Sequence, residues 1–366
     1  MNQMKTIKVT NTFPGLNPCV VRGILCLASL ALPLSAQSLS RLSLEQSTDL
    51  NGWQTVSLTA DMIDANGRLI LANDTDEKFY RMQVEVIPIP ADLARIPAGS
   101  FTMGRTSSDT DSDAPPVTVT VSVFYMGKNE VTKALWDNVL KWASANGYTD
   151  LAEGAGKATN HPVQTVSWWD VIKWCNARSQ KEGLTPVYTV SGSVMKTGTS
   201  VPTVNWSANG YRLPTEAEWE KGARGGVSGK RFPSGVDTIS HSDANFENVG
   251  LSYHTGITGY SPMFAIGGFP YTSPVGSFAS NGFGLQDVSG NVWEWCWDFK
   301  DASSYVEGAS DPRGPHTGIG RVLRGGSWIN LPYSGSLGTR CCTRGNLLPE
   351  TKNWDMGFRV ARSSVP

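Results

Sequence analysis

The chain has 366 residues, enough for roughly two domains at about 150 residues each. Lys and Arg number 31 against 32 Asp and Glu, a formal net charge of −1, and charged residues make up 17% against about 25% in an average soluble domain. That balance excludes a coiled coil or a disordered polyelectrolyte, and 38 Gly, 21 Pro and 13 Trp point to a loop-rich fold with an aromatic core.

Near the start, Lys5, Lys8 and Arg22 precede an apolar run over residues 23–32, followed by Pro33-Leu-Ser-Ala36 and the polar Gln37. A positive region, an apolar core and a closing small residue read as a secretory signal over residues 1–36, cut near Ala36. The run is too short for the about 20 residues of a spanning helix, and no later stretch is apolar enough to cross a membrane. No lipobox precedes Cys19 or Cys26. Removing residues 1–36 takes away three positive charges and no acidic one, leaving −4. The expectation is a secreted or periplasmic protein with no membrane span and no nucleic-acid partner, since phosphate backbones call for clustered Lys and Arg.

Four cysteines remain after such a cut: Cys175, Cys296, Cys341 and Cys342. They show no C-x-x-C spacing and no histidine at zinc-site distance. Adjacent Cys341 and Cys342 would point to opposite faces of a strand. A single disulfide stays open in an oxidising compartment, its pairing unspecified.

Residues 37–90 alternate as a small β module, with strands expected near Trp53-Gln-Thr-Val-Ser-Leu58, Arg68-Leu-Ile-Leu71 and Phe79-Tyr-Arg-Met-Gln-Val-Glu-Val86. Asp64-Ala-Asn-Gly67 supplies a turn, and Pro88-Ile-Pro-Ala91 a linker. Val117-Thr-Val-Thr-Val-Ser-Val123 reads as a half-buried strand. Thr132 is placed to cap a helix through Trp136, Val139, Leu140 and Ala143, ended by Gly147. Ser167-x-x-Asp170 and Thr215-x-x-Glu218 are capping boxes for two more helices, the second closed by Gly225-Gly226. Beyond Gly226, about 140 residues carry no helical period, and loops of that extent go with function or bound ions.

Common catalytic signatures are absent: no H-E-x-x-H, P-loop, G-x-S-x-G or dinucleotide fingerprint. His161, His241, His254 and His316 are scattered. Asp109-x-Asp111-x-Asp113 begins like an EF-hand loop, but Ala114 stands where glycine is needed and Thr120 where a carboxylate is. It reads as a solvated acidic loop.

Eight ordered motifs carry a resemblance. They are Ile96-Pro-Ala-Gly-Ser-Phe-Thr-Met-Gly104, Lys128-Asn-Glu-Val-Thr132, His161-Pro-Val-Gln-Thr-Val-Ser-Trp168 and Gly210-Tyr-Arg-Leu-Pro-Thr-Glu-Ala-Glu-Trp-Glu220. Then come Asn281-Gly-Phe-Gly-Leu285, Ser289-Gly-Asn-Val-Trp-Glu-Trp295, Arg324-Gly-Gly-Ser-Trp328 and Gly357-Phe-Arg359. Over about residues 94–363 the chain resembles the sulfatase-modifying-factor, or formylglycine-generating-enzyme, family. The resemblance implies an α+β, C-type-lectin-like fold with little regular secondary structure over residues 91–366, preceded by the β module of 37–90.

The resemblance also implies calcium, ligated by the side chains of Asp287 and Glu294 and the carbonyls of Gly290 and Val292, a hard-oxygen set that suits Ca²⁺. A weaker second set comprises Asn245, Phe246 and Phe269, with Gly267 where an aspartate is expected. Family enzymes oxidise a sulfatase cysteine to formylglycine with Cu(I) held by two thiolates. Here those positions fall on Asn330 and on Gly335 or Ser336, so copper is not expected. Cys341 and Cys175 align with structural cysteines whose partner positions are Ala223 and Val360, which leaves them buried thiols. Trp293, Ser327, Asn330 and Asp355 stand as pocket candidates, with no catalytic residue assigned.

The expected function is a pseudoenzyme-like, exported, calcium-stabilised binding or accessory module for a peptide, protein or glycan, with its ligand face between Trp328 and Trp354. The alternative is a family oxidoreductase acting on a protein cysteine or on a small molecule outside the cytoplasm.

Overall fold

A computed structural model describes residues 6–8, 20–22, 38–47, 54–56, 79–88, 90–109, 111–301, 305–329 and 338–364. The apolar run at 23–32 and Ala36, the strand expected at 68–71, the turn at 64–67, and positions Asn330, Gly335 and Ser336 lie outside these residues. The chain divides into two compact units between Pro90 and Ala91.

In the first unit the strand Ser38–Ser47 pairs antiparallel with Phe79–Pro88 along its whole length and with Gln54–Val56 on its other edge. The two outer strands were legible in the sequence. The central one was not, because Leu39, Leu42 and Leu44 among serines break strict alternation. Thr6–Lys8 and Val20–Arg22 form a separate antiparallel pair.

The second unit starts from its helix caps. Helix α1 (Lys133–Ser144) opens where the Thr132 side chain accepts from the Leu135 N–H. Helix α2 (Trp168–Lys181) and helix α3 (Glu216–Arg224) both have complete capping boxes, Ser167 with Asp170 and Thr215 with Glu218. Gly225 then ends α3 in the left-handed region at φ 57°. No helix follows Gly226 among the described residues.

Short strands fill the space between these helices. One sheet runs Tyr211–Arg212, Ala361–Ser363, Phe124–Gly127, Leu93–Ile96, all antiparallel. Another runs Arg344–Leu347, Arg321–Arg324, Trp293–Phe299, Met356–Gly357, its last pair parallel. Gly99–Met103 and Val117–Val121 form a hairpin. The arrangement is α+β with three helices among the described residues.

Tryptophan supplies much of the packing, as the composition suggested. Trp136, Trp168, Trp174, Trp219, Trp293, Trp295 and Trp328 are fully buried or nearly so. Trp136 stacks on Trp174 at 5.6 Å with planes 1° apart, and Phe358 meets both edge-on. A second cluster joins Ile96, Met126, Trp219, Val288, Cys296, Val322 and Cys341 between α3 and the sheets.

The Asp109–Asp113 loop is not the solvated acidic loop its composition suggested. Asp109 is buried and accepts from Arg231 Nε (2.7 Å), Arg340 Nη1 (3.0 Å) and the Thr106 hydroxyl (2.7 Å). Arg340 also binds both oxygens of Asp111. Burial opposes ionisation of Asp109, but the bonds from Arg231, Thr106 and Arg340 prevail and hold its carboxyl at about 2. Its two arginine partners sit more than 120 positions away, beyond the reach of a local pattern.

Ser167→Ala removes the first half of a buried capping box, so a loss of about 1–2 kcal/mol is expected. A denaturant titration should show a lower midpoint with an unchanged slope.

Candidate functional site

The site is built at the entry to the strand Trp293–Phe299. Alternation along that strand sends Trp293, Trp295 and Trp297 to one side and Glu294, Cys296 and Asp298 to the other. The turn before it needs left-handed backbone at Asp287 (φ 55°), Gly290 (φ 83°) and Asn291 (φ 63°). A Cβ at Gly290 would lie 2.2 Å from the Asn245 carbonyl oxygen, so only glycine fits. Asn291 tolerates the strained backbone because its own groups are used: its N–H donates to the Asn245 carbonyl and its amide NH₂ to Glu130 Oε2 at 2.6 Å.

Three buried carboxylates meet behind this turn. Glu294 accepts from Trp219 Nε1 (2.6 Å) and from Arg359 Nε and Nη2 (2.7 Å each). Glu130 accepts from Asn291 and, at 3.1 Å, from the Val292 N–H. Asp287 Oδ2 accepts from the Gly276 N–H, while its Oδ1 is buried with no hydrogen-bond partner. Arg359 is the one guanidinium that lowers the pKa of both Glu130 and Asp287. Burial raises the Asp287 carboxyl to about 6, and burial together with Asp287 and Glu294 raises Glu130 well above the usual carboxylate range. If all three acids ionise, two negative charges stay uncompensated, a costly state in a dry interior.

Beyond Trp293 the Arg324-Gly-Gly-Ser turn opens a pocket. Gly325 and Gly326 take φ 91° and 75°, and a Cβ on Gly326 would collide with the Gly338 carbonyl oxygen at 2.9 Å. The pocket, about 210 Å³ with its open mouth, is lined by Phe246, Glu247, Trp293, Ser327, Ile329 and Thr339 among others. Ser327 Oγ donates to the Ile329 carbonyl at 2.7 Å and lies 3.1 Å from Asp355 Oδ2. The Trp293 N–H donates to the Asp355 carbonyl at 2.8 Å. The structure thus brings Trp293, Ser327 and Asp355 together, while Asn330 lies outside the described residues.

The calcium candidates Asp287, Gly290, Val292 and Glu294 share one turn, but Glu294 spends both oxygens on Arg359 and Trp219. Among the described residues no three His, Cys, Asp or Glu side chains converge on a point that could hold an ion. The weaker set is spread out in its bonding. The Phe246 carbonyl accepts from His241 Nε2, and Asn245 Nδ2 donates to the Tyr271 carbonyl. Phe269 packs instead among Tyr260, Tyr271, Trp328 and Trp354.

All four cysteines of the described residues are free and buried. Burial pushes the Cys341 thiol up to about 11 and Cys342 up to about 12, and raises Cys175 and Cys296 as well. Cys341 packs in the same cluster as Ala223. Sequence reasoning missed Glu130, although it stands inside the Lys128-Asn-Glu-Val-Thr132 motif, flanked by residues that gave no hint of a buried acid. It also missed the ring cluster around Phe269, which is assembled from segments nearly 100 positions apart.

Short mixed sheets around a Gly-Gly-Ser turn, with Trp293 and a buried Glu294–Arg359 pair beside it, define a sulfatase-modifying-factor type of domain. Residues 83–364 match the "Sulfatase-modifying factor enzyme 1-like domain", and the chain belongs to that family, the one that includes the formylglycine-generating enzymes. It is similar to the formylglycine-generating enzyme of Mus musculus, 33% identical over 299 residues that cover 75% of this chain and 76% of that protein. It is equally similar to the "Chaperone protein LppX" of Paenibacillus barcinonensis, 33% identical over 287 residues, 74% of this chain and 89% of that one. Among solved structures, Treponema denticola variable protein 1 matches with TM-score 0.55 and 29% identity over 74% of this chain and 94% of its own.

Thiols held this far above neutral should not react with iodoacetamide in the folded protein. Mass spectrometry should find Cys175, Cys296, Cys341 and Cys342 unmodified until denaturant is added. Labelling of Cys341 or Cys342 in the native state would contradict the geometry.

Proposed function

We propose that this protein is an exported, calcium-stabilised binding or accessory module on a C-type-lectin-like scaffold, not a copper oxidase. One observation carries the reading. No cysteine occurs between Trp297 and Arg340, so the segment that follows the Gly-Gly-Ser turn brings no thiolate to the pocket of Trp293 and Ser327. Cu(I) requires soft sulfur donors, and the donors at hand are hydroxyl, carboxylate and carbonyl oxygens. Copper does not fit these residues.

The ligand face adjoins the same pocket. Trp328 follows Ser327 and Trp354 precedes Asp355, so the Ser327–Asp355 contact places the two indoles side by side, 6.2 Å apart. Phe269 bridges them at 5.4 and 5.6 Å and is 53% exposed, and Trp354 is 42% exposed. The loop carrying Phe269 has no charged residue from position 255 to 286, yet Ile257, Met263 and Ile266 are exposed on it. Aromatic and methionine enrichment with charge depletion marks a protein-contacting surface, which favours an uncharged, apolar peptide or protein segment over a glycan. A relative named as a chaperone at the same identity as one named as an enzyme is in keeping with that reading. The second reading, an oxidoreductase acting on a protein cysteine or a small molecule, draws on the framework of Trp293, Ser327 and Arg359.

Calcium fits the turn at Asp287. Its Oδ1 is buried without a partner and the surrounding acids exceed the cations by two, so a hard divalent ion would remove the imbalance. Asp287 would hold it through Oδ1, with the Gly290 and Val292 carbonyls, while Glu294, expected as a ligand, stays committed to Arg359 and Trp219. Bound there, the ion supplies neutralising charge, and the turn carrying Trp293 is what it would rigidify. The set of Asn245, Phe246 and Phe269 contains no carboxylate and fits less well.

These readings have direct tests. The Asp287 carboxyl lies at about 6 in the fold against 3.8 ordinarily, so its contribution to stability is complete below about pH 4 and is lost as pH rises through about 6. Without divalent ions, thermal stability should therefore fall between about pH 4 and pH 6 and change little above that. Millimolar Ca²⁺ should restore it at the higher pH and do little at the lower, and Asp287→Asn should flatten the difference. For binding, displayed peptide and glycan libraries should enrich uncharged apolar peptides, and Phe269→Ser with Trp354→Ser should weaken the best peptide by about tenfold or more without changing the melting temperature. Oxygen uptake on a cysteine-containing peptide, with no peptide or glycan bound, would favour the oxidoreductase instead.

A further inference from the structure

A second buried acid site lies away from the pocket, where α3, the strand Trp293–Phe299 and the loop after it converge. Asp298 and Glu216 are both 0% exposed. The Tyr305 hydroxyl stands between them, 2.7 Å from Asp298 Oδ1 and 2.8 Å from Glu216 Oε2. A phenol has one proton to donate. If both carboxyls were ionised, one of these two short contacts would press lone pair against lone pair.

The remaining bonds say which acid carries the missing proton. Glu216 receives the Arg344 guanidinium on both oxygens, Nε at 2.6 Å and Nη2 at 2.7 Å, with Arg324 Nη1 at 3.6 Å. It is the anion. Among the described residues Asp298 has no ion-pair partner: its Oδ2 accepts the Glu216 backbone N–H at 2.7 Å, and its Oδ1 faces the phenol. A Cβ on Gly314 would lie 2.8 Å from that Oδ1, so the chain closes over it and leaves no room for water.

We propose that Asp298 is a carboxylic acid in the folded protein, donating to Tyr305, which donates in turn to Glu216, and that this proton latches the loop 305–311 to the domain. Further along, Glu307 Oε2 accepts the Thr118 N–H at 2.8 Å, and the far half of the loop is held through its backbone. Gly308 N–H donates to the Thr118 carbonyl, Thr120 N–H to the Ala309 carbonyl and Asp311 N–H to the Thr120 carbonyl, each at 2.8 Å. Tyr305 is its anchor at the near end. Once Asp298 ionises, the phenol serves one carboxylate and is repelled by the other.

The charged groups around Asp298 are Glu216 and Glu218, which raise its carboxyl, the neutral Cys296 thiol, and Arg321, which stacks on Trp168 and Phe299 across the strand. Arg344 and Arg324 are spent on Glu216 and Glu220. Burial first, then Glu216, push Asp298 up to about 7 from an ordinary 3.8. The raised value means that the stabilisation is whole below about pH 4 and is lost as pH climbs through about 7.

Hydrogen exchange of the full chain tests this, each peptide corrected for its intrinsic rate. Exchange in residues 305–311 should rise with pH between about 4 and 7, by up to about tenfold per unit, the limit for loss of one proton, and level off above about 7. Asp298→Asn keeps a donor toward Tyr305 and should hold the loop closed at every pH, while Tyr305→Phe should leave it open at every pH. Infrared spectra should show a carboxylic-acid C=O band at about pH 6 that is missing from Asp298→Asn. Should Asp298→Asn fail to fold, the same band lost on titrating the wild type but shifted in Tyr305→Phe carries the test. A flat loop profile in the wild type, or an identical rise in Asp298→Asn, overturns the proposal.

Discussion

The Glu294–Arg359 pair is the interaction on which the domain's construction turns. Both side chains are 0% exposed, and each is held by groups from far apart in sequence. Arg359 spends its remaining N–H donors on the carbonyls of Gly127, Lys128, Gln286 and Asp287, and Glu294 takes the Trp219 indole N–H. One ion pair therefore fixes the loop after Phe124–Gly127, the turn before Trp293, helix α3 and the chain segment before Ala361–Ser363. Removing one partner of such a pair leaves a bare buried charge and costs about 3–5 kcal/mol. In a domain with so little regular structure, side-chain donors of this kind satisfy loop carbonyls that sheet ladders would otherwise take.

The same economy of charge explains why the acids behave unequally. Glu216 has Arg344 directly against it and is held at about 2, although it is fully buried. Asp298, hydrogen-bonded to the Glu216 N–H and just as buried, has no guanidinium bonded to it among the described residues and rises to about 7. Asp287 lies between these limits because Arg359 is near but committed to Glu294. Placement of a few arginines, more than depth of burial, decides which carboxyl is an anion and which is a site for a proton or a cation.

That distinction also marks how far the sequence could be read. Helix starts were legible because caps are local: Ser167 and Asp170, or Thr215 and Glu218, are three positions apart and bond each other. The Gly-Gly-Ser turn was legible because backbone at positive φ admits few residue types. Asp109 was misread because Arg231 and Arg340, the partners that bury it, come from the far side of the chain. Glu130 was passed over for the same reason, since its partner Asn291 is 161 positions away. The aromatic face is likewise a product of the fold: Phe269, Trp328 and Trp354 have no common period, and only the Ser327–Asp355 contact and the packing of the Phe269 loop bring them together.

Family membership constrains the scaffold far more than the chemistry, and this chain shows why the two separate so cleanly. The Glu294–Arg359 pair, the left-handed turn and the Trp293 pocket are linked by buried bonds, so none can change alone without exposing an unpaired charge or carbonyl. Asn330, Gly335 and Ser336 lie outside the described residues, and the described bonds of the Glu294–Arg359 pair run to other positions, Trp219, Gly127, Lys128, Gln286 and Asp287. The buried residues that tie the fold together are thus other than the exposed rings of Phe269 and Trp354 that the proposed contact would use.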